Sequence, residues 1–166
     1  MLTSHELFGF MSPGLAVGII EFAHDHNRDL YRTALAAVAD ARKLRPIFFE
    51  RTPRAQRHAE MVAQLAKPRL ELIAGNLLRD WLMKKETGML VDFLDALGIP
   101  HKDGAVEDLP ATIDDAKLKE AVDKLLAKYP PEEIAVYLHA FYTMNQVQWP
   151  NLEAILQSEK RLQFGG

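Results

Sequence analysis

The stretch RLELIAGNLLRDWLMK, residues 69–84, is the part of the sequence that decides the fold class. Placed on a helix, it is apolar around most of its circumference, and a narrow polar strip through Glu71, Gly75 and Arg79 remains for solvent. Such a helix is typical of the centre of a helical protein, where neighbours cover it on most sides. The sequence therefore predicts a central helix over residues 69–84, with Trp81 in the core.

Conventional helix start and stop signals flank this stretch on both sides. Ser12 before Pro13 is a typical start, because the hydroxyl caps a free N–H group and proline lacks an N–H that the first turn would leave unpaired. Asn27 is a second candidate cap, and Gly98 followed by Pro100 is the order expected at a helix end. These signals divide the chain into about eight amphipathic helices.

No segment alternates apolar and polar residues over enough positions to predict a sheet. The run at residues 46–49 is the only candidate strand, and it is too short and isolated to form one. We therefore predict an all-α fold, a single domain over residues 1–166 in which about eight helices form a bundle of antiparallel hairpins. A shift of 44 positions also aligns residues 78–97 with residues 122–141 as a weak hairpin repeat. Amphipathic helix pairs resemble one another in general, so chance similarity is the alternative.

Composition is that of an ordinary soluble protein. Apolar residues make up 48% of the 166 residues and charged residues 26%, and the net charge is −3. The chain has no cysteine, which excludes disulfides and thiolate nucleophiles and favours a reducing compartment, so we predict a cytoplasmic location. The apolar residues 7–22 lack a basic flank and contain Pro13 and Glu21, so a buried helix and no membrane segment is expected there.

The short motifs of common enzyme classes are missing from the sequence. It contains no G-x-S-x-G elbow, no S-x-x-K, no H-E-x-x-H, no P-loop and no G-x-G-x-x-G, so an enzyme is disfavoured and no cofactor is expected. The densest polar cluster contains His24, His26 and Asp29, residue types that bind divalent transition metals. Only His26 and Asp29 have the separation that places two ligands on one helix face. Histidines that complement a helix C-terminus are the other interpretation.

Three further histidines have different expected environments. His101 lies in a polar loop with Asp103, Glu107 and Asp108, where a carboxylate could orient it as a general base, or where the loop is only a solvated connection. His58 is expected on a wet helix face. His139, within an apolar helix, is expected to be a hydrogen-bonded core residue.

Positive charge is concentrated between residues 42 and 57. The basic residues there outnumber the single acid Glu50 by six to one: Arg42, Lys43, Arg45, Arg51, Arg54 and Arg57. Arginine suits bidentate pairing with carboxylate or phosphate. Three interpretations compete, namely pairing with the acidic helices between residues 86 and 133, docking of an acidic partner, and binding of nucleic acid. The net negative charge and the lack of interleaved aromatic residues disfavour nucleic acid.

The functional prediction is a noncatalytic protein-binding or scaffold module with an arginine-rich contact surface. Phe48 and Phe49 lie inside the basic segment and could anchor a partner, or could pack this connection onto its own domain. The predicted binding residues are Arg45, Phe48, Phe49, Arg51, Arg54 and Arg57. The expected partner is an acidic protein or a second copy of the chain, and no membrane is expected to take part. The alternative is a metal-binding or enzymatic domain that uses His24, His26 and Asp29.

Overall fold

The computed structural model describes residues 1–165 and places ten α-helices among them. They are α1 (Ser4–Phe10), α2 (Pro13–His26), α3 (Arg28–Ala41), α4 (Pro46–Glu50), α5 (Arg54–Leu65), α6 (Glu71–Lys84), α7 (Thr87–Leu97), α8 (Asp115–Lys128), α9 (Pro131–Asn145) and α10 (Pro150–Ser158). Single turns of 3₁₀-helix lie at Pro68–Leu70 and Lys160–Leu162. The prediction of an all-α fold is confirmed. Within the same residues, no helix has the length and apolar character that crossing a membrane requires.

Two short helices account for the difference between the eight predicted and the ten observed. Helix α1 has seven residues and precedes the predicted start at Ser12. Helix α4 has five residues and occupies the run that was the only candidate strand. Its first residue is Pro46, whose fixed φ suits the first helical position, so a single turn forms although the run is rich in β-forming residues.

Residue contacts group the chain into two compact units. The N-terminal unit contains residues 3–81, and the C-terminal unit contains residues 82–164 together with Met1 and Leu2. Helix α6 contributes its residues through Trp81 to the first unit and the remainder to the second. That residues 1–166 fold as one domain therefore stays a prediction.

The N-terminal unit is built on α2, α3 and α5, which contact one another pairwise. Ser12 caps α2 by accepting from the Leu15 N–H at 3.4 Å, and Asn27 caps α3 by accepting from the Leu30 N–H at 3.3 Å, so both predicted caps are confirmed. The apolar faces of the three helices supply a core of fully buried side chains: Ala16, Ile19, Ile20, Ala34, Val38, Met61 and Leu65.

Helix α6 is covered on most sides, although its boundaries and exposed strip differ from the prediction. Residues 68–70 form a 3₁₀ turn, so the α-helix begins at Glu71 rather than Arg69. Trp81 is 1% exposed, which confirms its place in the core. Leu72 is 76% exposed, whereas Gly75 faces Ser4, whose Oγ would lie 3.2 Å from an added Cβ. The solvent-exposed side of α6 therefore includes Leu72 and lies away from Gly75, unlike the polar strip predicted through Glu71, Gly75 and Arg79.

The C-terminal unit packs α8 against α7, α9 and α10 around a cluster of aromatic rings. Phe93, Tyr137 and Phe141 meet edge to face with ring centroids 5.5 to 5.9 Å apart, and Trp149 lies 5.1 Å from Phe141. Gly98 ends α7 in the left-handed conformation with φ +70°, as its position before Pro100 predicts.

A tight turn at Asp103 and Gly104 shapes the loop that follows α7. Lys102 and Ala105 exchange two backbone hydrogen bonds of 2.8 and 2.9 Å, and both central residues have positive φ, as a type I′ turn requires. An added Cβ on Gly104 would lie 3.0 Å from the Cβ of Leu90. This position therefore needs glycine for its conformation and for its packing.

Replacing Gly104 by alanine is expected to lower the free energy of unfolding by about 1 to 3 kcal/mol, because alanine is strained at φ +87° and collides with Leu90. Urea unfolding measures the loss. The matched control is Gly18→Ala in α2, where nothing lies within 4 Å of an added Cβ. That change should stabilise the protein by about 0.5 to 1 kcal/mol through helix propensity. Equal effects at the two positions would contradict the turn geometry.

Candidate functional site

The segment between α3 and α5 begins with a sharp change of chain direction. The Leu44 N–H donates to the Ala39 carbonyl at 2.8 Å and the Lys43 N–H donates to the Asp40 carbonyl at 3.0 Å, which is the hydrogen-bond pattern of a Schellman motif. Lys43 has φ +58°, a conformation that usually requires glycine at this position. The turn ends α3 and carries the chain into α4 with Leu44 41% exposed.

Helix α4 places its two adjacent phenylalanines in opposite environments. Phe49 is 1% exposed and belongs to the core, whereas Phe48 is 54% exposed and Ile47 is 55% exposed. The Arg51 guanidinium lies over the Phe48 ring at 5.7 Å from its centroid, a cation–π contact. The structure thus exposes one of the two predicted aromatic anchors and buries the other.

We use the term α4 surface for Leu44, Arg45, Ile47, Phe48 and Arg51. All five are exposed, and neither arginine makes an ion pair within residues 1–165. Two exposed cations and three large exposed apolar side chains are therefore concentrated in eight consecutive positions. The only acid among these positions is Glu50.

The remaining arginines of the basic segment are engaged within the N-terminal unit. Arg42 forms an ion pair with Glu60, and Arg54 lies 4.0 Å from Glu21 and 3.7 Å from Asp25. Their partners are therefore carboxylates of α2 and α5. Arg42 and Arg54 therefore pair within the chain, but with α2 and α5 and not with the acidic helices between residues 86 and 133.

Arg57 has a different role, because its half-buried guanidinium holds the end of α4. Its Nε donates to the Tyr31 hydroxyl at 2.9 Å, and its terminal nitrogen donates to the Glu50 carbonyl at 2.9 Å and the Thr52 carbonyl at 3.1 Å. The two carbonyls are main-chain groups at the end of α4 and in the turn after it. The hydrogen bonds of Arg57 therefore hold the end of α4 and the turn after it in place.

His58 is fully buried, so its expected position on a wet helix face is wrong. Its Nε2 lies 2.9 Å from the Tyr31 hydroxyl, and its Nδ1 lies 3.7 Å from the Glu21 carboxylate without a hydrogen bond in the described structure. Burial lowers the pKa of His58, and the nearby cations of Arg57 and Arg54 lower it further. His58 lies on the same helical stripe as Met61 and Leu65, so extending that stripe towards the start of α5 would have predicted its burial.

The residues of the metal alternative are not brought together. The Nε2 of His24 accepts from Arg28 at 2.9 Å and its Nδ1 lies 2.8 Å from Asp25, so both ring nitrogens are already engaged. The His26 ring packs on Phe22 at 4.7 Å. Over the whole described range, no three His, Asp or Glu side chains form a group able to hold a metal ion. The metal alternative with His24, His26 and Asp29 therefore gains no support from the geometry.

His101 lies beside an open surface pocket of about 470 Å³ in the C-terminal unit. Its Nδ1 accepts from the Gly104 N–H at 3.1 Å, and its Nε2 lies 2.7 Å from Asp95. The ring therefore has no lone pair left for a general base, and its carboxylate partner is not one of the loop acids named above. The pocket is lined by Pro100, His101, Lys102, Ala105, Glu107 and Asp108.

Comparisons of the chain with protein-family models, with curated proteins and with solved structures found no match. The function is therefore argued from the geometry of the chain itself.

Proposed function

We propose that this chain is a noncatalytic protein-binding module that docks an acidic, amphipathic segment of a partner on the α4 surface. The observation that carries the proposal is the exposure of Leu44, Ile47 and Phe48, which are 41 to 55% exposed within five consecutive positions. Single exposed apolar residues are ordinary in folded proteins, but a concentration of large ones marks an interaction site.

The charges beside these apolar side chains define the chemistry of the partner. Arg45 and Arg51 flank them, and arginine pairs with carboxylates in a bidentate geometry. Aromatic residues and arginine are also the types that contribute most to binding at protein interfaces. A helix with Leu or Phe on one face and Glu beside that face would complement both features.

The α4 surface is ordered before any partner binds. The buried Phe49 side chain packs α4 onto the core of the unit, and the Arg57 hydrogen bonds hold the C-terminal end of the helix. Binding therefore does not have to order this segment, which lowers the entropic cost of association. A cytoplasmic location forms part of the proposal, because a chain without cysteine is suited to a reducing compartment.

Loss of the two large exposed apolar side chains of α4, Ile47 and Phe48, should weaken docking without affecting the fold. The probe is a synthetic amphipathic helix with Leu and Phe on one face and Glu beside that face, measured by calorimetry against a scrambled peptide. We expect the Ile47→Ser, Phe48→Ser double variant to weaken binding by at least about tenfold, equivalent to about 1.4 kcal/mol. Its melting temperature should stay close to that of the parent chain, because exposed side chains contribute little to stability.

The matched control is Phe10→Ser with Leu72→Ser, which removes two large apolar side chains of at least equal exposure from α1 and α6 of the same unit. This control should bind the peptide as the parent does. Equal loss in both double variants, or no binding by the parent, would reject the proposal. Binding to phosphatidylserine vesicles instead of the peptide would assign the α4 surface to a membrane. A dimer that the Ile47→Ser, Phe48→Ser variant dissociates in sedimentation would replace the acidic partner by a second copy.

A further inference from the structure

A chain of hydrogen bonds connects a buried histidine to the segment that carries the α4 surface. Arg57 holds the Glu50 and Thr52 carbonyls through one end of its guanidinium and the Tyr31 hydroxyl through its Nε. The same hydroxyl lies 2.9 Å from the Nε2 of His58. Whatever changes the His58–Tyr31 contact therefore acts on the group that fixes the end of α4.

The direction of these hydrogen bonds fixes the position of the proton on His58. Arg57 can only donate, so the Tyr31 oxygen accepts from it and the Tyr31 O–H is available to donate to His58. The Nε2 of His58 then acts as the acceptor, and the proton of the neutral ring is on Nδ1. That Nδ1 faces Glu21, 3.7 Å away.

Charged and titratable groups of three helices face His58. Glu21 and His24 of α2 approach it, with the His24 ring centroid 6.0 Å away. Tyr31 of α3 is hydrogen-bonded to it, and Arg54 and Arg57 of its own helix lie close enough to oppose a positive charge on the ring. Two guanidiniums and one imidazole therefore disfavour an imidazolium here, and only the Glu21 carboxylate favours it.

We propose that protonation of His58 displaces the Arg57 guanidinium and thereby releases the C-terminal end of α4 and the turn after it, residues 50–53, while buried Phe49 keeps the rest of α4 in place. A proton on Nε2 turns this atom from an acceptor into a donor, so the Tyr31 O–H loses its buried acceptor. The imidazolium also repels Arg57, whose Nε is bound to the same hydroxyl. Movement of Arg57 towards solvent relieves this repulsion and gives up its bonds to the Glu50 and Thr52 carbonyls. As regulation of docking, this inference rests on the proposed function.

The sign of the pH dependence follows from the lowered pKa of His58. In the unfolded chain His58 has its ordinary pKa of 6.5, and in the folded protein its pKa is lower, so the unfolded chain binds the proton more tightly. The contribution of neutral His58 to the free energy of unfolding is therefore complete above pH 6.5. It is lost as the pH falls from 6.5 towards the lower pKa of the folded state. The release of residues 50–53 should therefore occur on the acidic side of pH 6.5.

Amide hydrogen exchange of the full-length chain, without any partner, tests the inference. The probes are the Arg51 and Thr52 amides, which donate to the Phe48 and Phe49 carbonyls. Between about pH 8 and about pH 5, we expect their protection factors, corrected for intrinsic exchange, to fall at least about tenfold more than those of α2 and α3.

Two histidine variants separate His58 from its neighbour. His58→Gln retains an acceptor for Tyr31 but cannot be protonated, so it should abolish the acid-induced release. His24→Gln, which removes a titratable ring of the same cluster that is not hydrogen-bonded to Tyr31, should retain the release and shift it towards higher pH, because the His24 ring opposes protonation of His58. If His58→Gln does not fold, Arg57→Gln provides the second test, because it should expose the segment equally at both pH values.

Equal protection of the segment in the parent chain at the two pH values would reject the inference. A release that still depends on pH in His58→Gln or in Arg57→Gln would also reject it. The exchange experiment contains no peptide. Its failure is therefore distinct from a failure of the acidic helix to bind, which would reject the proposed function and leave the conformational change intact.

Discussion

Replacement of Trp149 by alanine should lower the free energy of unfolding by about 3 to 5 kcal/mol. Trp149 is 0% exposed and packs on Phe141 in the aromatic cluster of the C-terminal unit. Its indole N–H also donates to the Pro110 carbonyl at 2.9 Å, which ties the loop between α7 and α8 to the start of α10. Truncation leaves a cavity and an unpaired carbonyl together, and chemical denaturation measures the combined cost.

The variant Trp149→Phe separates these two contributions. Phenylalanine fills much of the same volume but cannot donate to Pro110, so we expect a smaller loss of about 1 to 2 kcal/mol. A loss below about 1 kcal/mol for the alanine variant would contradict the burial of this ring.

The adjacent residues Phe48 and Phe49 should respond very differently to the same substitution. Phe49→Ala is expected to cost about 3 to 5 kcal/mol, because its ring is 1% exposed and anchors α4 to the core. Phe48→Ala should stay within about 0.5 kcal/mol of the parent, because its ring is largely in solvent. Urea unfolding of the two variants measures the difference.

Phe48→Ala also serves as the control for Phe49→Ala, since both remove the same ring from the same helix. Equal losses would show that α4 is oriented differently. A small loss at Phe49 alone would show that α4 is not anchored and that the α4 surface is not ordered before binding.

Local signals predicted much of the fold. Ser12, Asn27 and Gly98 act where the sequence placed them, because a helix cap depends on residues a few positions away. Helix α4 was missed because five residues are too few for helical periodicity to be distinguished from a short apolar strand. The packing of Phe49 onto the unit, rather than the propensity of residues 46–49, stabilises this turn.

The sequence identified the basic segment as a candidate contact surface, but it did not distinguish the roles of the arginines within it. The basic segment stood out by its charge alone, yet charge does not distinguish Arg45 and Arg51 on the α4 surface from Arg57, which holds the backbone of α4. That difference depends on Tyr31, 26 residues away in sequence. The environment of His58 also depends on its hydrogen bond to Tyr31, which is 27 residues away in sequence. Patterns of neighbouring residues therefore could not predict the hydrogen bonds among His58, Tyr31 and Arg57.

The two tryptophans of the chain provide a natural optical readout of folding. Trp81 belongs to the N-terminal unit and Trp149 to the C-terminal unit, and each residue is at most 1% exposed. A buried indole emits at shorter wavelength than a hydrated one, so unfolding should shift the fluorescence of each unit to the red. Variants that retain one tryptophan, with phenylalanine at the other position, would therefore show whether the two units melt in one transition or in two. No tryptophan lies on the α4 surface, so such a signal would follow unfolding without direct interference from a docked partner.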